Sequence, residues 1–466
     1  MNTGIRSYIG DKAFYKMLFL IAIPIMLQNA LTNVVGLLDN IMVGQIGTNS
    51  MSGVSIANNL MFVYIIVCFG AVSGAGIFSA QYFGKKDYDG MAAAFRIKLL
   101  IVLVLTVIST AIFLCFGKDL INLYIHDSDD GIGDPIETLN ASFTYLKIML
   151  IGLPFLGFSM CYSSTLRESG KTIPPMIAGI VAVLTDVVLN YILIFGHFGF
   201  PKLGVAGAAI ATVISRGVEF VINVVYSHAN KLKLPYVGRI YKTLAVPSAL
   251  LKGIAAKGLP LVVNEALWVL SITIATQSYS VRGLSAVAAL NMDVSIANVF
   301  NIFFMAMGAS VSIIIGPMLG ADKIEEAKAT TKKLIAFTFG ICLITASLMA
   351  LSSGAFPSIY NTEPEVKALA TRLIIINACF VPFQGVCHSS YFALRSGGKT
   401  WLTFLFDSGI QWAAYVPLAF IFAHYTSLSI LAVYAIASCS DVLKCFISLF
   451  ILRKVDWAQN IVNEEE

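Results

Sequence analysis

Charge is what this chain has least of. Only 12% of its 466 residues are Asp, Glu, Lys or Arg, about half the share of a soluble domain. A soluble fold of this length would lack the polar surface it needs. Disorder requires low hydrophobicity and is excluded as well. The net charge of +5 is too small for a polyanion-binding surface, so nucleic acid is not an expected partner. No GxxxxGKS or GxxxxGKT segment occurs, so the chain carries no ATP-binding cassette of its own. A K+-filter sequence and a regular arginine ladder are also missing. None of the eight cysteines forms a CxxC pair, which argues against a zinc cluster or a disulfide framework. The start, MNTGIRSYIGDKAFYK, is polar and has no small-residue cleavage site, unlike a signal peptide.

What the chain has is long apolar runs. Apolar residues make up 58% of it and its mean hydropathy is +0.82. Twelve segments stand out, near 16–42, 53–82, 93–117, 140–163, 173–196, 204–227, 255–279, 284–316, 333–353, 369–393, 401–423 and 427–452. At 1.5 Å per residue each can cross a hydrocarbon core of about 30 Å as a helix. The expected fold class is therefore an all-α polytopic membrane protein with 12 transmembrane helices. With the N-terminus placed in the cytoplasm, 25 Lys and Arg fall on the inner side and 6 on the outer. That bias orients both termini to the cytoplasm. The longest stretch between spans, about 228–254, is basic and reads as a cytoplasmic linker. It separates an N-terminal lobe, 1–227 with spans one to six, from a C-terminal lobe, 255–466 with spans seven to twelve.

The two halves resemble each other. Pro24–Leu31 corresponds to Pro260–Leu267, and Ser79–Gly84 to Ile315–Gly320, both at an offset of 236 residues. Leu166–Thr172 corresponds to Leu394–Thr400 at an offset of 228. Six-span halves in the same orientation are parallel repeats, related by a pseudo-twofold along the membrane normal. Such pairs enclose a cavity and rock about it, which points to transport. Without an ATPase, the energy comes from ion or substrate gradients.

The run Pro24…Asp39-Asn40-Ile41-Met42-Val43-Gly44, the Ala80–Lys86 loop, the Leu166–Thr172 turn and the helix Gly204–Thr212 resemble the multidrug and toxic-compound extrusion (MATE) family. The likeness runs from about residue 12 to 455. It implies two six-helix lobes and export of organic cations and amphipathic toxins by alternating access. It also implies antiport against H+ or Na+, in the plasma membrane (the inner membrane of a bacterium). The chain is then not an enzyme and needs no cofactor beyond the coupling ion. Its partners are the lipid bilayer and small amphipathic cations, and it is expected to be a monomer. A flippase for a lipid-linked substrate with the same bilobal architecture, and a non-transporting receptor or scaffold, stand as alternatives. Mostly acidic charges within the spans favour cationic cargo over an anionic headgroup.

Acids within spans are costly, at least about 2.5 kcal/mol at bilayer depth, and so mark candidate sites. Asp39 lies in the outer part of span one, after Pro24, which can kink that helix as a gate or passively. Asp186 and Asn190 are four apart on span five and share a face. Two carboxylates and an amide offer hard oxygens to Na+, or hold one proton between like charges. The family pattern has the amide first and the carboxylate four residues later, the reverse of the order here. Thr212 matches a hydroxyl position of that family site, although a helical threonine also bonds its own backbone. Glu265 resembles an acid that some members use in the C-terminal lobe. With Gln28, Asn264 and Gln384 it is a candidate substrate or second cation contact. The acid expected on span ten is missing, where the chain has only Gln384 and His388. Asp293 and Asp407 have no family match, Asp441 and Lys444 are spaced to pair on span twelve, and His388 is either a pH-sensitive group or a packed one.

Overall fold

The computed structural model describes residue 4 and residues 8–125, 134–243 and 245–463; Arg6, counted above among the inner cations, lies outside them. Among the described residues, twelve helices are long and apolar enough to cross a membrane. They are α1 Lys12–Gly44, α2 Thr48–Lys85, α3 Tyr88–Asn122, α4 Pro135–Glu168, α5 Ile173–Phe195, α6 Val205–Ala229, α7 Ser248–Ser280, α8 Leu284–Gly320, α9 Ile324–Ser352, α10 Pro364–Ser396, α11 Thr400–Tyr425 and α12 Ile430–Lys454. The expected segments all fall on these helices. A bilayer offers the backbone no water to bond, so a spanning segment must close its hydrogen bonds locally, as a helix does. Their ends follow local chemistry. Asp87 caps α3 by accepting from Asp89 and Gly90 amides, and Asp134 caps α4, where Pro135 gives up no useful donor. Gly196 ends α5 with φ 77°, a left-handed turn that glycine enters without a Cβ clash.

Packing divides the chain into two compact units. The first comprises Leu27–Ser79 and Asp87–Ile254; the second comprises the chain up to Met26, Ala80–Lys86 and the chain from Ala255 onward. Helices α1, α2 and α7 therefore each contribute to both.

In the first unit α4 packs on α3 and α6, and α6 on α5. Gly157 of α4 makes room for Tyr64 of α2, whose hydroxyl donates to the Leu153 carbonyl at 3.1 Å. Lys98 of α3 is fully buried and donates to Glu168 and, at 3.1 Å, to Thr165. The stretch expected as a linker is folded onto this unit. Leu234, Tyr236, Val237 and Ile240 are buried, Arg239 pairs with Asp89, and Arg96 donates to the Thr243 carbonyl at 2.7 Å. Burial in this apolar cap also raises the Tyr236 phenol above its ordinary range.

In the second unit α10 packs against α8, α9 and α12. Gly308 of α8 lies under His388 and Phe392, and Gly385 of α10 lies against Cys342. The two copies of the repeated motif meet here. A Cβ on Gly84 would overlap the Pro317 carbonyl, one on Gly320 the Gln81 carbonyl, and one on Gly316 would press on Ala80. Because residues 81 and 84 correspond to 317 and 320, the contact is self-complementary, as a local twofold requires. The C-terminal tail seals it: the Gln81 amide donates to the Ser396 and Gln459 carbonyls at 2.8 and 3.1 Å and accepts from the Ile461 amide at 2.9 Å. Trp457, Ala458, Ile461 and Val462 are buried around it.

Candidate functional site

The first unit assembles the acids expected to act together. Asp186 and Asn190 stand one turn apart on α5 and are buried, whereas Asp39 on α1 is half-buried. The Asn190 amide donates both to Asp39 Oδ1 at 2.8 Å and to Asp186 Oδ2 at 3.2 Å, so one NH2 group bridges two carboxylates. Thr212, Ser215 and Arg216 of α6 surround the Asp186 carboxyl. The Thr212 hydroxyl donates to the Ala208 carbonyl at 3.1 Å and that of Ser215 to the Thr212 carbonyl at 2.9 Å. Each hydroxyl has a single proton, which serves either that backbone carbonyl or the Asp186 carboxyl beside it. Asp186 Oδ1 and the Asn190 amide oxygen are buried with no hydrogen-bond partner. Buried acceptors without donors are uncommon and call for an explanation. A cation among these oxygens would satisfy them.

Arg216 is one of the 25 Lys and Arg counted to the inner side. It sits within α6 and pairs with Glu219 at 2.9 Å, close to the two acids. Lys98 and Lys444, also counted there, are buried inside the helix packing at 0% and 6% side-chain exposure. Arg216 and Lys444 thus lie well inside α6 and α12 beside acids, whereas Lys98 pairs with Glu168 at the very end of α4; with those two set aside, 23 inner cations remain against 6. The signal in the sequence was the spacing of Arg216 and Glu219 inside an apolar run.

The remaining candidates divide between the units. Gln28 lies in the first, accepting from Arg167 at 2.8 Å and packed over Gly179. Pro24 lies in the second, within an α1 that continues through it. Asn264 of α7 donates to Asp407 Oδ2 at 3.0 Å and its own oxygen accepts from Ser408. Gln384 of α10 donates to Asp441 Oδ2 at 2.9 Å. Glu265 of α7 faces Tyr391 and Arg395 of α10.

The expected Asp441–Lys444 pair is not made. Lys444 reaches instead to Asp407 Oδ1 at 2.9 Å and Gln411 Oε1 at 2.6 Å, while Asp441 takes Gln384. The reason lies in α11, where Leu405–Gly409 and Gln411–Tyr415 are π-helical. The widened turns present Asp407, Ser408 and Gln411 to α7 and α12. Such turns recur at functional sites and have no hydropathy signature. Asp293 of α8 is satisfied by Asn377 at 3.1 Å and Tyr434 at 2.8 Å, and binds α8, α10 and α12 together. His388 is packed edge-on between Phe304 and Phe392, with ring centroids 5.4 and 5.0 Å away.

Comparison with known proteins identifies the family and the fold. The MatE family model matches residues 24–192 and 260–421, taking in both halves. The chain is 28% identical over 422 residues to "Probable multidrug resistance protein YoeA" of Bacillus subtilis, covering 90% of this chain and 89% of that one. It is 25% identical to the multidrug resistance protein PmpM of Pseudomonas aeruginosa, covering 90% and 85%. A crystal structure of a mutant of the Vibrio cholerae MATE transporter VcmN superposes with a TM-score of 0.86 at 19% identity, covering 96% of this chain and 98% of that one. Its sequence identity is low, so that likeness speaks for the fold alone. By the match over both halves, the chain belongs to the MATE family of multidrug efflux transporters, integral to the plasma membrane.

Proposed function

We propose that the chain exports amphipathic organic cations by alternating access, exchanging them for H+ or Na+ bound at Asp39, Asp186 and Asn190. The observation that carries this reading is the Asn190 amide bridging two carboxylates beside two unpartnered buried oxygens. Paired carboxylates in a poorly hydrated helix interface cannot both stay charged cheaply, so the pair captures a cation. Thr212 contributes a hydroxyl oxygen to the same pocket. Capture from outside favours the conformation that releases cargo outward, because a ligand shifts an equilibrium only by its differential affinity for the two states. Pro24 serves as the flexible point of α1. Glu265, Gln28 and Gln384 are the polar groups offered to cargo, Asn264 being taken up by Asp407 and Ser408, and both termini face the cytoplasm. The names of the relatives support drug-like cargo.

The test is efflux of ethidium from proteoliposomes under an imposed pH or Na+ gradient. Wild-type protein should move dye with one of the gradients, and Asp39→Asn should not, although it reaches the membrane. Wild-type efflux by the Asn variant refutes the coupling site.

A further inference from the structure

The second unit has a polar pocket of its own, and a lysine fills it. Lys444 Nζ stands 2.9 Å from Asp407 Oδ1 and 2.6 Å from Gln411 Oε1. The other Asp407 oxygen accepts from Asn264 at 3.0 Å, and the Asn264 oxygen accepts from Ser408. Each of these oxygens therefore has a donor, in contrast to Asp186 Oδ1 and Asn190 Oδ1 of the first unit. Asn264, Ser408, Gln411 and Lys444 are all buried, at 2–7% exposure. Carboxylate and amide oxygens are hard ligands that suit Na+, yet here an ammonium is held between one of each.

The chemistry of an ammonium in that place is specific. It carries one positive charge and three donors on a four-carbon stem, with no acceptor. Asp441 on α12, Glu265 on α7 and Cys387, His388, Tyr391 and Arg395 on α10 are the further titratable and charged groups around the pocket. The π turns of α11 are what bring Asp407 and Gln411 to the lysine. A buried lysine kept at this depth needs such a partner, since an unpaired one is strongly disfavoured.

We propose that Lys444 is a tethered counter-ion: its ammonium permanently occupies the position a coupling cation would take in the second unit. The Asp39–Asp186–Asn190 cluster is then the exchangeable site and sets the number of ions moved per cycle. The inference rests on the proposed coupling role of that cluster. Removing the ammonium while leaving Asp407, Gln411 and Asn264 in place opens a second cation site.

The experiment measures cation occupancy of the purified full chain in two ways. Radioactive Na+ is counted by equilibrium dialysis at alkaline pH. Protonated carboxyls are read from the infrared carboxylic-acid C=O band that shifts in D2O, as a difference from wild type. Lys444→Met is expected to hold one cation more than wild type, as Na+ or as an added protonated carboxyl, and Lys444→Met/Asp407→Asn to lose the gain. Lys444→Arg, which keeps a fixed positive charge, stays at wild-type occupancy. Unchanged occupancy in Lys444→Met, with the cation still lost in Asp39→Asn, overturns the tethered counter-ion and leaves the coupling site standing. A cation retained in Asp39→Asn overturns the coupling site instead. If Lys444→Met does not fold, Lys444→Gln carries the same measurement and is judged by the same outcomes.

Discussion

Asp39→Asn and Asp186→Asn, made singly and together, should be strongly non-additive in cation binding. The Asn190 nitrogen is 2.8 Å from one carboxylate and 3.2 Å from the other, so the two bonded oxygens are at most about 6 Å apart. Two unit charges at that separation repel by about 3 kcal/mol at an effective dielectric constant of about 20. A bound proton or Na+ relieves this repulsion, and that relief drives its capture. Neutralising either acid removes the relief, so each single variant should bind about 100-fold more weakly, at about 1.4 kcal/mol per tenfold. The double variant has no repulsion left to lose. Its deficit should therefore fall short of the summed single deficits by about 3 kcal/mol, at the upper end of measured pairwise couplings. Isothermal titration with NaCl against choline chloride, or proton release on cargo addition, gives the four affinities. Deficits that add within about 0.5 kcal/mol, or wild-type affinity in Asp186→Asn, would mean that the two carboxylates do not share a cation.

Three further outcomes follow from the packing. Lys98→Met leaves Glu168 without its buried partner and should destabilise the protein by about 3–5 kcal/mol, whereas Lys98→Met/Glu168→Gln should recover most of the loss; thermal melts in detergent distinguish the two. Gly320→Ala places a methyl on the Gln81 carbonyl and should cost about 1–3 kcal/mol as overpacking, read as a lowered melting temperature; an unchanged one would show that the α2–α8 contact gives way easily. Lys171 is exposed, and in a background lacking the exposed Cys115, Cys379 and Cys439 Lys171→Cys should react only with thiol reagents supplied from the cytoplasm. Arg395→Cys should stay protected because residue 395 is only 6% exposed; labelling of Lys171→Cys from outside would reverse the orientation.

The twelve helices were legible in the sequence because the bilayer makes secondary structure a local problem. Where backbone bonds can be closed only within the segment, a long apolar run has one solution, and α1 to α12 follow from hydropathy. The Asp186–Asn190 face was legible for a similar reason, since a spacing of four on a helix fixes two side chains to one side. Partners contributed by other helices were not. Lys444 lies three residues from Asp441, and spacing alone pairs them, yet its stem reaches Asp407 across two helices because the π turns of α11 turn that carboxylate toward it. Arg216 looks like an inner-side cation until α1, α5 and α6 are packed and set it beside two acids. The repeat at an offset of 236 was visible as residues, but that Gly84 meets 317 while Gly320 meets 81 is a property of two backbones crossing. Hydrophobicity and helical period act along the chain and can be read there. Charge pairing at bilayer depth acts over a few ångströms between different helices tens of residues or more apart in the chain, and only the packed helices decide which groups come that close.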